Sequence, residues 1–166
     1  MNHDQFLMIA AQEEHQMVNA VGQGAQWEII AHWFLCNSLS QQGCQVVREF
    51  NYQAVAGQRT DIAFLHGNNL YYVETKVESA TNAGIFAGRS FNQAFQEDYN
   101  KLYDLNLSTR AAEMNRQPGK KWILFIAYSD FGKNNLYSSY KFMSFYQHPH
   151  LPHQPPPMLF ALAEVD

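Results

Sequence analysis

The segment Trp122 to Tyr128, WILFIAY, is the most apolar stretch of the chain. It is far too short for a bilayer-spanning helix, which needs about 20 apolar residues. With no polar face to turn to water, it predicts a central strand buried on both sides, and so a sheet with helices covering it. The rest of the chain can supply that cover. Its 166 residues are 46% hydrophobic and 14% aromatic, enough for one domain with its own core and too apolar for a disordered chain.

Around this strand the pattern reads as helix, three strands, helix, strand. A first helix is expected over Asp4 to Asn19, ended by Gly22-Gln23-Gly24, and a second over Ala25 to Gln41, stopped by Gly43. Strands are expected over Cys44 to Tyr52, Thr60 to Leu65 and Leu70 to Val77, the last two joined at Gly67-Asn68-Asn69. A helix follows over Phe91 to Leu105, then a shorter one over Ser108 to Arg116 with Ser108 as N-cap, stopped by Pro118-Gly119. Leu136 to Tyr146 alternates weakly, a Pro-rich loop covers Pro149 to Pro157, and Met158 to Val165 is expected to close the sheet at its edge. The fold class is α/β of the α+β kind, a central mixed sheet of four to six strands flanked by helices. Residues 1–166 form one domain: a helical extension (1–23), a core (24–130), and C-terminal strands with the Pro-rich loop (131–166).

Charge narrows the class of function. Eleven Lys and Arg against fifteen Asp and Glu give a net charge of −4 and a pI of about 5.9, a poor basis for tight non-specific duplex binding. The deficit lies in Asp4, Glu13, Glu14 and Glu28, all ahead of the first basic residue, Arg48. Between Asn106 and Gln147 the balance reverses, with Arg110, Arg116, Lys120, Lys121, Lys133 and Lys141 against Glu113 and Asp130, enough for local contact with a phosphate backbone. Residues 1–20 have no basic leader and are not expected to be a signal peptide. No run is long enough for a membrane span. With Cys36 and Cys44 as its two cysteines, both expected as free thiols, a cytoplasmic location is expected.

Chemistry concentrates at Glu74-Thr75-Lys76. Side chains alternate along a strand, so Glu74 and Lys76 share one face of an otherwise apolar segment. Asp61, near the open end of the same hairpin, falls beside them. Two carboxylates and a lysine at one point suit a divalent cation such as Mg²⁺, which takes hard oxygen ligands and keeps waters of its own. A buried ion pair of Asp61 or Glu74 with Lys76 is the structural alternative.

Asp61, followed after twelve residues by Glu74-x-Lys76 on the adjacent strand, resembles the PD-(D/E)XK nuclease superfamily, whose fold is restriction-endonuclease-like. Gly24-x-x-x-Glu28 on the preceding helix is similar to that superfamily's first helix, and Gln93, Gln96, Asp98, Lys101 and Leu102 to its second. The resemblance runs from about Gly24 to Tyr128. Thr60 replaces the proline frequent before the aspartate, and Gln96 to Tyr99 is one residue short of the RecB-like spacing, so no subfamily is implied.

The resemblance implies hydrolysis of phosphodiester bonds in DNA, rather than RNA, with Mg²⁺ or Mn²⁺. Catalytic roles fall on Asp61, Glu74 and Lys76. Glu28, Asp61, Glu74 and the carbonyl of Thr75 would be metal ligands, and Lys76 would position the attacking water. Arg89, at the start of the second core helix, together with Gln93 and Lys101, would contact substrate. A homodimer would help so short a chain span a duplex. A catalytically silent protein of the same fold, binding a protein partner as an immunity or regulatory subunit, is the alternative. It fits the eight acids and five bases between Glu28 and Asp104. Glu78 is expected to be solvated at the strand exit, Arg59 to pair at the surface, and His148, His150 and His153 to lie in a loop. Tyr71, Tyr72, Tyr137, Tyr140 and Tyr146 are expected to serve packing.

Overall fold

The computed structural model describes residues 1–24, 26–51, 59–139, 143–152, 154 and 156–166. Tyr52, Tyr140, Lys141 and His153 therefore lie outside the described residues, as does Ala25 at the expected start of the second helix. Among the described residues the order is α1 (His3–Ala10), α2 (Glu14–Gly22), α3 (Trp27–Gln41), β1 (Gln45–Asn51), β2 (Arg59–His66) and β3 (Asn69–Val77). A small ribbon of β4 (Ile85–Phe86) and β5 (Arg89–Ser90) leads to α4 (Phe91–Tyr103), α5 (Leu107–Glu113) and β6 (Gln117–Ala127). The chain ends with α6 (Asp130–Ser139), β7 (Ser144–Tyr146) and β8 (Leu159–Val165). The main sheet has six strands in the order β1-β2-β3-β6-β8-β7, mixed as expected. β1, β2 and β3 are antiparallel neighbours, β3 runs parallel to β6, and β8 is antiparallel to both β6 and β7. Parallel neighbours need a crossover connection, and α4 with α5 provides it.

The apolar run sits in β6 at the middle of this sheet. Trp122, Leu124 and Ile126 pack with Phe6, Trp27, Leu35 and Leu39 of α1 and α3, while Ile123, Phe125 and Ala127 pack with Phe91, Phe95, Leu102 and Leu136 of α4 and α6. Each fully buried Leu, Ile or Phe here contributes about 1.5–3 kcal/mol. Burial on both faces is what the apolar run requires.

Five local expectations need correction. The first helix is two: Gln12 and Glu14 donate to Ile9 and Ala11, three-residue bonds that tighten the chain into a turn before α2. Asn106, not Ser108, caps α5, its side chain accepting from the Thr109 amide. Pro118-Gly119 lies inside β6, where the pairing with β3 is irregular and β8 has not yet begun to pair, so the missing proline N–H interrupts no ladder on that side. β8 is interior rather than an edge, because β7 pairs along its outer side, and Leu136 falls in a helix instead of a strand. Among the described residues no helix is long and apolar enough to cross a membrane.

Candidate active site at a strand split

β2 and β3 pair from His66–Asn69 as far as Ile62–Val73, and there the regular ladder ends. Two side chains take over where the strands part. The Thr60 hydroxyl donates to the Val73 carbonyl at 3.0 Å, and Asp61 Oδ2 accepts from the Thr75 amide at 2.7 Å. A carboxylate bonded to a backbone amide is held firmly, so Asp61 is fixed at the mouth of the split.

Glu74 and Lys76, on the face of β3 that meets α4, each find an opposite charge there. Lys101 Nζ lies 2.7 Å from Glu74 Oε1, and Lys76 Nζ lies 3.0 Å from Asp98 Oδ2 and 3.5 Å from the Thr75 carbonyl. Asp98 and Lys101 are three residues apart, one turn of α4, which puts both on the same face. α3 brings its own pair to the split. Glu28 is partly buried within the field of Lys76, Asp61 and Asp98. His32, one turn further on, points Nε2 at Asp61 Oδ2 from 3.9 Å.

Four carboxylates (Glu28, Asp61, Glu74, Asp98) thus share one neighbourhood with two ammonium groups. Glu74 shows the consequence: burial, reinforced by the charge of Asp61, pushes its carboxyl up to about 7 despite Lys101. Burial likewise raises Glu28, against the pull of Lys76. Burial pulls the Lys76 ammonium down, but Asp98 and Asp61 outweigh it and leave that group above the ordinary lysine range. Burial holds His32 below its ordinary range in spite of Asp61. The shortage of positive charge and the hard oxygen donors both fit a divalent cation. Among the described residues no three acidic, histidine or cysteine side chains are gathered into a ready-made cage; lysines and an amide engage the carboxylates instead.

The next acid, one residue past the end of β3, is different. Glu78 is fully buried, which corrects its expected solvation. Its Oε1 accepts from the Gly84 amide at 2.6 Å and from the Ser129 hydroxyl, and its Oε2 accepts from the amides of Tyr128 and Ser129, each at 2.9 Å. Its carbonyl accepts from Trp27 Nε1 at 2.7 Å. Gly132 leaves room for it, since a Cβ there would press on the carboxyl. Glu78 is a knot joining β3, the turn before β4, the end of β6, and α3.

Of the residues expected at the site, Glu28, Asp61, Glu74, Thr75, Lys76 and Lys101 come together, while Arg89 and Gln93 do not. Arg89 pairs at the surface with Glu97, and the Gln93 side chain closes a capping box on the amide and hydroxyl of Ser90. Arg59 pairs with Glu49 at 3.1 Å. Asp98 enters the sequence reading only as part of the second-helix pattern, without a site role, and His32 does not enter it, although helical spacing from Lys101 and Glu28 carries the signal for both. Comparison with protein-family models, with curated proteins and with solved structures finds no match. The functional reading therefore rests on this geometry.

Proposed function

We propose that the chain is a metal-dependent nuclease of the PD-(D/E)XK type, hydrolysing phosphodiester bonds of DNA in the cytoplasm. The observation that carries this reading is the strand split. The order α3, β1, β2, β3, α4, β6 carries Glu28, Asp61, Glu74, Lys76 and Lys101 on the elements that the resemblance implies, with Asp61 held at the split by the Thr75 amide, Glu74 and Lys76 paired to α4, and Glu28 within the field of Lys76 and Asp61. Glu28, Asp61, Glu74 and the Thr75 carbonyl would hold Mg²⁺ or Mn²⁺. The bound ion would supply a water of lowered pKa and neutralise charge on the phosphoryl oxygens. The Thr75 amide orients Asp61. Asp98 anchors Lys76 so that its remaining N–H groups can direct a water toward phosphorus. Lys101 balances part of the charge on Glu74.

The two ion pairs also favour a second reading, a silent nuclease-fold protein that binds a protein partner, because they leave fewer carboxylate oxygens for a cation. Cleavage decides between them. Wild type should cut plasmid, linear or single-stranded DNA in Mg²⁺ or Mn²⁺, while Asp61→Ala and Lys76→Ala should each lose at least about 10²-fold in rate. Failure of wild type on every DNA and RNA substrate with both ions would leave the binding reading.

A further inference from the structure

We propose that Trp33, with the Arg48 guanidinium laid over its ring, is a stacking platform for an unpaired base beside the strand split, and that the substrate of the site is therefore single-stranded DNA rather than continuous duplex. The inference deepens the nuclease reading and rests on it.

Charge singles out Arg48. Of the five bases between Glu28 and Asp104, four are engaged by carboxylates: Arg59 by Glu49, Lys76 by Asp98, Arg89 by Glu97 and Lys101 by Glu74. Among the described residues Arg48 has no ion pair, and its Nε is buried without a hydrogen-bond partner. What it has is a ring, since its guanidinium carbon lies 4.9 Å from the centre of the Trp33 ring. A guanidinium held on an indole keeps its N–H groups for an acceptor from outside, and phosphate is an acceptor that matches its fork. Trp33 itself is 61% exposed, and Ile29, one turn before it on the same face of α3, is 48% exposed.

The platform adjoins the split from two directions. Ile29 and Trp33 each follow by one residue Glu28 and His32, the α3 pair at the split, so the two stripes run side by side along the helix. On β1, Arg48 stands directly opposite Ile62, the neighbour of Asp61. A DNA strand with a phosphodiester at the split passes onto this face, where Arg48 meets its phosphate and Trp33 its base. Only an unpaired base offers a flat face to an indole, because in continuous duplex both faces are covered by neighbours. Stacking adds affinity that does not depend on counterion release, which suits a chain with a pI of about 5.9.

The test is a fluorescence titration of full-length protein in chelator, where the metal-dependent reaction is off. Tryptophan emission and the anisotropy of an end-labelled strand are read together. The probes are oligothymidylate, a duplex of the same length, and a strand of that length lacking its bases. Trp27 and Trp122 are buried, so quenching by the strand reports Trp33. Wild type should bind oligothymidylate more tightly than either other probe, with its emission quenched. Trp33→Ala should lose the quenching and at least about fivefold in affinity, while Trp33→Phe should lose the quenching and keep most of the affinity. Arg48→Gln should weaken binding and lower its salt dependence by about one cation. Affinity for oligothymidylate unchanged in Trp33→Ala, equal binding of the duplex, or no binding by wild type overturns the platform. So does Trp33 emission that responds to protein concentration and not to DNA, which assigns the face to a second copy of the chain. Cleavage by a wild type that fails these tests leaves the nuclease reading standing. Trp33-dependent binding without cleavage in Mg²⁺ or Mn²⁺ overturns the nuclease reading and leaves the platform.

Discussion

Glu74 and Glu78 are four residues apart at the end of β3, and each has at most 1% of its surface exposed. Their surroundings are opposite. Around Glu78 the chain has arranged donors: three backbone amides and a hydroxyl converge on its two oxygens. Around Glu74 it has placed one lysine and more acids. A buried carboxylate surrounded by amides is a structural tie, since its charge is satisfied by groups that have no other use. A buried carboxylate among other carboxylates is poorly compensated in the isolated chain, and perturbed groups of that kind cluster where proteins do chemistry. Burial alone does not separate the two roles; the identity of the partners does.

Breaking the tie should have the larger effect. Glu78→Ala removes the acceptor for the Gly84, Tyr128 and Ser129 amides at once and detaches the turn before β4 from the end of β6. Leaving buried donors unsatisfied costs about 1–3 kcal/mol each, and their losses overlap, so a drop of at least about 3 kcal/mol in unfolding free energy is expected by urea denaturation. A loss below about 1 kcal/mol would mean that water replaces the carboxylate easily and that Glu78 is no tie.

Relieving the crowding at Glu74 should act in the other direction and depend on pH. Its folded-state value of about 7 lies above the ordinary 4.5, so the folded chain holds this proton more tightly than the unfolded one. The associated stability is complete below about pH 4.5 and is lost as pH rises through 7, a swing of up to about 3 kcal/mol. Glu74→Gln imitates the protonated acid. In chelator at pH 8 the variant should melt above wild type, and near pH 5 the two should approach each other. A variant that melts below wild type at pH 8 would show that the Lys101 pair outweighs desolvation, which would bring Glu74 closer to Glu78 in character.

How far the sequence discloses this contrast depends on the range of the interaction. Alternation along β3 is local, so the shared face of Glu74 and Lys76 is legible, as is the need to bury WILFIAY on two sides. The α4 partner Asp98 is legible in principle, one turn before Lys101, but a side chain on a mostly polar helix does not announce which way it faces. Glu78 could not be read correctly. Its donors come from Gly84, Tyr128 and Ser129, up to 51 residues away, and the two-residue strands of the β4–β5 ribbon carry too little periodicity to predict. The interior position of β8 escaped for the same reason, since β7, which covers it, is three residues long. Arg89 is drawn into the site by its place at a helix start and Gln93 by the resemblance of that helix, yet local partners, Glu97 and Ser90, take them up.

The smallest effect should fall on Asp61, where tie and site coincide. Its Oδ2 holds the Thr75 amide at 2.7 Å, as a carboxylate of the Glu78 kind would, yet the same group faces His32 and lies among the acids that raise Glu74. Asp61→Asn keeps an oxygen for the Thr75 amide and removes the charge; Asp61→Ala removes both. Loss of charge should help Glu74 ionise, and loss of the acceptor should cost about 1 kcal/mol or slightly more. Asparagine is therefore expected to melt at or above wild type at pH 8 in chelator, with alanine about 1 kcal/mol below asparagine. Equal melting of the two variants would mean that the Thr75 bond adds nothing, and Asp61 would then belong wholly with Glu74. Both variants falling several kcal/mol below wild type would place it with Glu78 instead.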